Sequence, residues 1–250
     1  MDDTIRRSYT LKTEILGVRF DDLSPQEMVH TAASLIEAGG FHYAVTPNPE
    51  FILAAEKNEA FRNALNQADL SMPDGIGVVY ASRILGRPLK ERVPGIDFAD
   101  SLMAWMAQTG KRLFLLGSKP GIAEMAEVAL RKRHPGLLVV GTHYGYFKED
   151  EPVIAAIREA QADVVLVCLG APKQELWMAQ NGPVTGAKFM VGLGGALDVF
   201  AGVTQRAPEA WQKAGMEWCY RLIKDPKRIN RMAKLPLVLV HAAGARLKGK

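Results

Sequence analysis

The apolar positions of this chain follow two alternating periods. Short segments that are apolar almost throughout predict buried strands, and the segments between them carry apolar residues every three to four positions, as amphipathic helices do. The segment DVVLVCLG (163–170) is the clearest strand of this kind. The other predicted strands are 41–47, 69–74, 112–121 with a tight turn, 137–147 and 187–195; the predicted helices are 49–68, 75–86, 94–110, 122–134, 149–161 and 172–182.

This alternation predicts an α/β fold. Strand, helix and strand at such spacing form right-handed βαβ units, which build a Rossmann-like, mostly parallel sheet flanked by helices. Strands without a polar face fit a sheet that is covered on both sides. The opening segment EILGVRFDDLS is expected to form a peripheral hairpin or an edge strand. We therefore assign residues 1–205 to an α/β core.

The pattern becomes helical after residue 205, so residues 206–250 predict a helical C-terminal appendage. Asp225 followed by Pro226 fits a helix N-cap and first helical position. The net charge of the whole chain is +4, yet residues 221–250 hold nine Lys or Arg and one acid, a net of +8 that leaves −4 for the other 220 residues. The basic character therefore belongs to the appendage.

A basic appendage fits nucleic acid, an anionic membrane surface or a phosphate ligand, and a solvated positive face is the plain alternative. No recognisable nucleic-acid module accompanies it, so nucleic acid is not an expected partner. No apolar segment opens the chain as a signal peptide would, and none reaches the roughly 20 residues of a membrane span.

The length of 250 residues and the 48% hydrophobic content are sufficient for a packed core without disulfides. Cys168 lies in an apolar segment and is expected to be a core thiol. It is far from Cys219, and the two match no metal or redox spacing. This cysteine usage favours a reducing compartment.

Ligands of open parallel sheets bind outside the carboxyl ends of the strands. This rule selects the residues that follow the predicted strands as candidates for a site. They are residues 46–48, 73–75, 117–121, 170–174 and 192–198.

Asp74 ends one predicted strand in ADLSMPDGIG, and Thr46 and Asn48 end the strand before it. If the two strands are neighbours, the three side chains share one crevice. Thr46 and Asn48 offer hydrogen bonds, and an ionised Asp74 can accept a proton from an attacking hydroxyl. Pro-Asp-Gly is also ordinary turn chemistry, so a solvated turn aspartate is the alternative.

Two further strand ends carry weaker signals. The segment LLGSKPG, with Gly117, can present backbone N–H groups to phosphate, although it lacks the P-loop pattern and a plain turn explains it equally well. In GAPKQELW, Lys173 could meet phosphate and Gln174 a sugar hydroxyl. The alternative is that both are solvated residues at the start of a helix.

The segment GLGGALDVFAG resembles a dinucleotide-binding loop, but its glycine spacing fails at Leu197. Gly194 still predicts a backbone close to a ligand, and Asp198 can bind a ribose or sugar hydroxyl; tight strand–helix packing is the alternative. This segment motivates an alternative function as a Rossmann-type, nicotinamide-dependent oxidoreductase. A non-catalytic nucleotide-binding module is a third hypothesis.

Metal chemistry is not expected from the sequence. The histidines at positions 30, 42, 134, 143 and 241 show no paired ligand spacing, and no DxD motif is present. The appendage instead carries Arg221, Arg228 and Arg231. The last two share a helix face, and arginine can bind phosphate through two hydrogen bonds.

Seven segments together resemble the WecG/TagA/CpsF glycosyltransferases. In chain order they are TPNPEF, ADLSMPDGIGVV, ERVPGIDF, LFLLGSKPG, GAPKQELW, GLGGALDVFAGVTQRAP and EWCYRLIKDPKRINR. The resemblance runs from about residue 14 to about residue 232, with Leu197 standing where many members have an aromatic residue. It implies transfer of a sugar from a nucleotide diphosphate to a polyprenyl-diphosphate-linked acceptor, with inversion and with no metal ion or cofactor.

The resemblance also implies roles for individual residues. It places the proposed base at Asp74, the donor-site threonine at Thr46 with Asn48 beside it, and an arginine that stabilises the leaving diphosphate at Arg92. The further residues that we expect to bind substrate are Gly117, Lys173, Gln174, Gly194, Asp198, Arg206, Arg221, Arg228 and Arg231. The three appendage arginines are expected to close over the site and to meet lipid diphosphate or membrane.

The leading hypothesis is therefore an inverting glycosyltransferase of cell-surface polysaccharide synthesis. It would take N-acetylmannosamine, its uronic acid or glucose from a UDP-sugar, and would lie peripherally on the cytoplasmic face of the plasma membrane. The sequence leaves the sugar, the acceptor glycan and the oligomeric state open, and assembly into a homo-oligomer is compatible with it.

Overall fold

The computed structural model describes residues 12–213, 215–224 and 234–248 of the chain. The strands are β1 (Thr13–Ile15), β2 (Val18–Phe20), β3 (His42–Val45), β4 (Leu70–Ser71), β5 (Arg112–Gly117), β6 (Leu138–His143), β7 (Val164–Cys168) and β8 (Phe189–Gly192). The helices are α1 (Pro25–Ala38), α2 (Pro49–Lys57), α3 (Glu59–Gln67), α4 (Ile76–Ile84), α5 (Gly95–Thr109), α6 (Ile122–Arg133), α7 (Glu151–Glu159), α8 (Lys173–Asn181), α9 (Ala196–Phe200), α10 (Glu209–Lys213), α11 (Glu217–Lys224) and α12 (Lys234–Leu247). A 3₁₀ helix, Gly182–Val184, follows α8 directly.

Six strands form one sheet in the order β4-β3-β8-β7-β5-β6, and every pair of neighbours in it is parallel. Strands β1 and β2 form a separate antiparallel hairpin, as the opening segment predicted. Helices alternate with the strands and lie on the sheet faces, so the predicted α/β class is confirmed.

The sheet is covered on both faces because its central strands are apolar at every position. In β7, Val165 and Val167 belong to the hydrophobic cluster on one face, whereas Val164 and Leu166 belong to the cluster on the other. Cys168 ends this strand, and burial raises the pKa of its thiol to about 12. The predicted core thiol is therefore confirmed.

The predicted helix 49–68 is wrong in one respect, since two helices form there. Asn58 has an extended backbone between them, and its side-chain oxygen accepts a hydrogen bond of 3.0 Å from the backbone N–H of Phe61. Asparagine favours this capping position and opens a new helix. The predicted strand 69–74 is also shorter than expected, because only Leu70 and Ser71 pair with β3.

The last helix, α12, returns to the core and packs against α4 and α2. Val238 and Ala242 on its inner face are completely buried. Near its start, Leu235 lies over Gly77 so closely that a Cβ atom at Gly77 would stand 2.1 Å from the leucine Cδ1. The described part of the appendage is thus helical, as predicted. The Asp225-Pro226 cap lies outside the described residues, and the division at residue 205 stays a prediction.

Candidate active site

The carboxyl edge of the sheet brings two of the predicted segments together. The backbone N–H of Met72 donates to the carbonyl of Val45 over 2.9 Å, and that of Asp74 donates to the carbonyl of Pro47 over 3.1 Å. The turn that carries Asp74 therefore lies directly beside the turn that carries Thr46 and Asn48. The expectation that these strands are neighbours is confirmed.

Thr46 joins two strand ends. Its hydroxyl is buried and donates a hydrogen bond of 2.9 Å to the carbonyl of Gly192, the last residue of β8. Its methyl group faces Gly95 at the start of α5, where a Cβ atom would stand 2.7 Å from it. Thr46 thus fixes the distance between β3, β8 and α5 at the edge where a ligand is expected.

Asn48 is the N-cap of α2. Its side-chain oxygen accepts hydrogen bonds from the backbone N–H groups of Glu50, at 2.8 Å, and Phe51, at 3.2 Å. Pro49 follows at the first helical position, so the sequence Asn-Pro-Glu is a helix-start signal as well as a rim segment. These capping bonds engage the Asn48 side-chain oxygen that was expected to bind a ligand.

Asp74 is half-buried beside a group of charged side chains. Its charge acts on the guanidinium of Arg206, which also forms two hydrogen bonds with the carboxylate of Asp97. Burial lowers the pKa of Arg206, but the bonds to Asp97 and the charges of Asp97, Glu217 and Asp74 outweigh it and raise the pKa overall. Arg206 is therefore a permanent cation next to the predicted base.

Glu217, the first residue of α11, connects the two arginines of this group. Its carboxylate lies 3.5 Å from Nη1 of Arg92 and 3.7 Å from Nε of Arg206. Glu217 is 7% exposed, so this contact is shielded from water. We name Asp74, Arg92, Asp97, Arg206 and Glu217 the charge cluster. It contains two cations and three carboxylates, gathered from four separate segments of the chain.

The opposite side of the crevice is held by neutral hydrogen bonds. The side-chain oxygen of Gln174 accepts from the backbone N–H groups of Gly170, at 3.2 Å, and Gly194, at 2.9 Å. Its nitrogen donates to the carboxyl group of Glu175 over 2.7 Å. Gln174 is 0% exposed, so in this structure it faces the protein interior and not the open crevice. Gly194 directs its N–H inward in the same way.

Glu175 is a buried carboxyl group behind this network. It is 0% exposed, and its second oxygen, Oε2, has no hydrogen-bond partner among the described residues. Burial raises the pKa of this carboxyl to about 7, although the hydrogen bond from Gln174 lowers it. The neighbouring Gln174 is thus bound to a group that titrates near neutral pH.

Asp198 and Gly117 meet at the end of β5. Ser118 follows Gly117 and donates its hydroxyl hydrogen to the Asp198 carboxylate over 2.8 Å. Gly117 has a φ of 139°, and a Cβ atom there would lie 2.3 Å from the carbonyl oxygen of Cys168. Only glycine fits this close approach of two strand ends. Gly117 therefore shapes the rim through its backbone.

A cavity of about 320 Å³ opens between the ends of β5, β6 and β7. It is lined by Ser118, Gly145, Tyr146, Phe147, Cys168, Leu169 and Lys173. Lys173 crosses its rim, because its Nζ donates to the carbonyl of Gly145 over 3.1 Å and lies 4.2 Å from the centre of the Phe147 ring. Tyr146 is 69% exposed at the opening, which leaves an aromatic face available to a planar ligand.

The appendage arginines cannot be placed with the rest of the site. The backbone of Arg221 lies in α11, but its side chain is outside the described part of the structure, as are Arg228 and Arg231. Their binding role stays a prediction.

Sequence reasoning missed three acidic residues of this site. Asp97 and Glu217 lie in the first turns of α5 and α11, where an acid ordinarily needs no partner beyond the helix dipole. Glu175 occupies the same position in α8. Only the fold shows that these acids are paired with arginine or buried.

Two kinds of feature are not found among the described residues. In the ranges 12–213, 215–224 and 234–248, no three His, Cys, Asp or Glu side chains converge as metal ligands do. Over the same ranges, no helix has both the length and the apolar character to cross a bilayer.

Comparison with known proteins gives one consistent result. The model of the glycosyl transferase WecG/TagA/CpsF family matches residues 13–250. An N-acetylglucosaminyldiphosphoundecaprenol N-acetyl-β-D-mannosaminyltransferase of Staphylococcus aureus strain MRSA252 is 37% identical over 247 residues, which cover 98% of this chain and 97% of the relative. The protein with the same name from strain MW2 is 36% identical over the same coverage.

Proposed function

The chain belongs to the WecG/TagA/CpsF family of glycosyltransferases, and from this membership we propose that it transfers a hexose from a UDP-sugar to a polyprenyl-diphosphate-linked glycan. The names of these two relatives describe transfer of an N-acetylmannosaminyl group to a lipid-linked N-acetylglucosaminyl acceptor. N-acetylmannosamine is accordingly the first sugar to test, with its uronic acid and glucose as the alternatives. The nicotinamide oxidoreductase and the non-catalytic module are set aside, because the family is one of glycosyltransferases.

The observation that supports a transfer site is the charge cluster at the carboxyl edge of the sheet. Inverting transfer requires a base for the acceptor hydroxyl and positive charge for the departing diphosphate. Asp74 supplies a carboxylate, and Arg92 and Arg206 supply guanidinium groups in the same cluster. The charges needed for both halves of the reaction are thus close together.

The reaction that we propose is a single displacement. The acceptor hydroxyl oxygen forms a bond to the anomeric carbon while the bond from that carbon to the diphosphate oxygen breaks. Asp74 takes the hydroxyl proton, and UDP leaves with the bonding electron pair. Arg92 binds the negative charge that develops on the diphosphate, since guanidinium is a permanently charged donor of several hydrogen bonds.

The nucleoside end of the donor has a matching space on the other side of the crevice. The cavity of about 320 Å³ carries an exposed aromatic ring, Tyr146, on which a base can stack. Asp198 lies at its rim and accepts a hydrogen bond from Ser118. Its carboxylate can accept a further hydrogen bond from a ribose hydroxyl. We propose that uridine lies here, with the diphosphate directed toward the charge cluster.

A lipid-linked acceptor requires contact with a membrane surface, and we propose that the appendage supplies it. Apolar side chains on helices α11 and α12 are exposed to solvent: Trp218, Ile223, Leu237, Val240 and Leu247. Residues 221–250 hold nine Lys or Arg, and each Lys or Arg near anionic lipid contributes about 1 kcal/mol before screening. Peripheral binding to the cytoplasmic membrane face follows from this proposal.

The transfer proposal is tested by offering purified protein a panel of UDP-sugars with a polyprenyl-diphosphate-linked N-acetylglucosamine acceptor. We expect one donor to give a product one sugar heavier by mass spectrometry, with UDP released only when the acceptor is present. The ADP- and GDP-linked forms of the same sugar serve as controls. Absence of a heavier product with every donor would refute the proposal.

Membrane docking is tested separately by vesicle sedimentation with anionic lipid. Ile223→Ser should weaken binding, whereas Val128→Ser, at a similarly exposed apolar position on α6, should not. Truncation is a poor substitute, because it also removes the buried residues of α12. Equal binding by both variants would show that the appendage does not dock.

A further inference from the structure

The first turn of α8 contains a pair of polar residues that is buried behind the crevice. Gln174 and Glu175 are both 0% exposed, and a hydrogen bond of 2.7 Å runs from the glutamine Nε2 to the glutamate Oε1. The glutamine oxygen accepts from Gly170 and Gly194, which lie in the loops after β7 and β8. One amide group therefore connects two loops of the crevice to one buried carboxyl.

The space around this amide is shaped for it. A Cβ atom at Gly192 would stand 2.9 Å from Nε2 of Gln174, so the glutamine occupies the volume that a side chain at Gly192 would need. Gly170 and Gly194 have φ values of 76° and 57°, in the left-handed region. Both loops thus turn sharply at the residue whose N–H binds the glutamine oxygen.

The direction of the amide decides whether this connection exists. A glutamine amide rotated by 180° has almost the same shape, but its oxygen and nitrogen exchange places. In the rotated form the NH₂ group would face the N–H groups of Gly170 and Gly194, and the oxygen would face Glu175. Both bonds from the glycine N–H groups would be lost, and an ionised Glu175 would have no donor opposite it. Glu175 is the acceptor that binds the NH₂ group and so favours the observed direction.

A carboxyl group is an expensive acceptor at this position. Burying it without full hydrogen bonding is unfavourable in apolar surroundings, and its Oε2 has no partner among the described residues. An apolar residue of similar size fits a buried helix face without this cost, as Met178 does on the same helix. Compared with an apolar residue, the carboxyl group of Glu175 provides one additional contact, the hydrogen bond from Gln174.

We propose that Glu175 is a positioning residue, which fixes the amide of Gln174 so that it holds the loops after β7 and β8 at the separation that the sugar-nucleotide donor needs. The part that concerns the donor rests on the proposed function. The part that concerns the loops does not. Glu175 itself is buried and acts only through Gln174.

The test uses three variants of the full chain, Glu175→Met, Gln174→Met and the double variant. Methionine keeps an unbranched side chain of similar length and removes the hydrogen bonds. Amide hydrogen exchange is measured at Gly170 and Gly194 by NMR, and UDP affinity by calorimetry. We expect each single variant to raise exchange and the Kd of UDP roughly tenfold, and the double variant to add little, because the two residues act in one chain of contacts.

Three comparisons separate positioning from general stability. Glu175→Gln retains an oxygen acceptor for Nε2 and should restore exchange and affinity to within about twofold of the original chain. Thr185→Val removes a buried hydrogen bond at Gly182, remote from the crevice, and should leave both readouts unchanged at a similar loss of stability. In transfer assays, Glu175→Met should raise KM for the donor more than it lowers kcat.

The outcomes are distinguishable. Unchanged exchange at Gly170 and Gly194 in Glu175→Met, or single effects that multiply in the double variant, would overturn the inference. If Glu175→Met does not fold, Glu175→Asp decides, since the shorter side chain withdraws the acceptor and should raise exchange at both glycines; no rise overturns the inference. If the original chain does not bind UDP, the proposed function fails, while the exchange data still judge the positioning role.

Discussion

The two sides of the crevice are held by different forces. On the side of β7 and β8, Gln174 and Thr46 are buried and form uncharged hydrogen bonds to backbone groups of Gly170, Gly194 and Gly192. On the side of β4, α5 and α11, the contacts are ion pairs of the charge cluster. The first side is a frame of short, shielded bonds, and the second is a set of charges that can exchange partners.

This difference indicates what each side can contribute. Hydrogen bonds between buried neutral groups are little affected by salt, so they keep one wall of the crevice in place. The carboxylates of the ion pairs compete with an incoming diphosphate for the arginines, because arginine can bind either group through two hydrogen bonds. We therefore expect substitutions on the neutral side to change stability first, and substitutions on the charged side to change rate and anion affinity first.

Asp74→Asn should have the largest effect. The substitution removes the charge with little change in shape, and loss of a general base costs about 10²–10⁴-fold in kcat. The melting temperature should change little. The matched control is Asp69→Asn, because Asp69 binds His42 and the backbone of Tyr43 at the opposite edge of the sheet. It should lower stability and keep kcat; a similar kcat in Asp74→Asn and Asp69→Asn would contradict the assignment of the base.

Arg92→Gln should follow with a loss of about 10²-fold in kcat, since a single donor to a developing anion is worth about that much. The reduction should appear with every active donor, because the diphosphate is common to all. Arg158→Gln is the control, as that side chain binds only the carbonyl of Val184 in the described structure and lies away from the crevice. Steady-state kinetics on both variants decide the comparison.

Thr46→Val should mainly change stability. It removes the hydrogen bond to the carbonyl of Gly192 while keeping the shape, and an unpaired buried carbonyl costs about 1–3 kcal/mol in the free energy of unfolding. Thr46→Ser retains the hydroxyl and should recover most of that loss in urea titrations. If Thr46→Val keeps full stability but loses activity, Thr46 belongs functionally with the charge cluster and not with the neutral side.

Glu217→Gln should have the smallest effect of the four substitutions, and it should strengthen the binding of UDP. The carboxylate of Glu217 lies close to both Arg92 and Arg206, so it competes with an incoming diphosphate. Its loss should tighten UDP binding about three- to tenfold at low salt, which corresponds to about 1 kcal/mol. Glu59→Gln, at an exposed position on α3 where the carboxylate is near only Arg62 in the described structure, should leave the UDP affinity unchanged. Weaker UDP binding by Glu217→Gln would show that Glu217 orients the arginines instead.

The sequence predicted the fold well because strand burial is a local property. Every strand of the main sheet lies within a segment predicted as a strand, such as 163–170. The break at Asn58 was missed, since one polar residue within a long periodic segment also fits a continuous helix. The two-residue length of β4 was missed as well, because pairing depends on a neighbour and not on the strand itself.

The proximity of candidate residues was predicted where position along a strand decides it, and not where distant residues meet. The rim rule placed Asp74 beside Thr46 and Asn48, as the structure has them. The pair of Arg206 and Asp97 joins residues 109 positions apart, which no local pattern reveals. Gln174 was expected to meet a sugar hydroxyl in the crevice, with a solvated helix start as the alternative, and only the packing against β8 shows its burial.

The contact of Leu235 with Gly77 has a consequence for the order in which the protein folds during synthesis. The turn with Asp74 and the start of α4 leave the ribosome early. More than 150 further residues must be synthesised before α12, which packs on them, emerges. During that interval the apolar surfaces of α4 and α2 that Val238 and Ala242 later cover stay open to water and to chaperones. The carboxyl edge of the sheet around Asp74 is therefore packed to completion only after the last helix of the chain has been made.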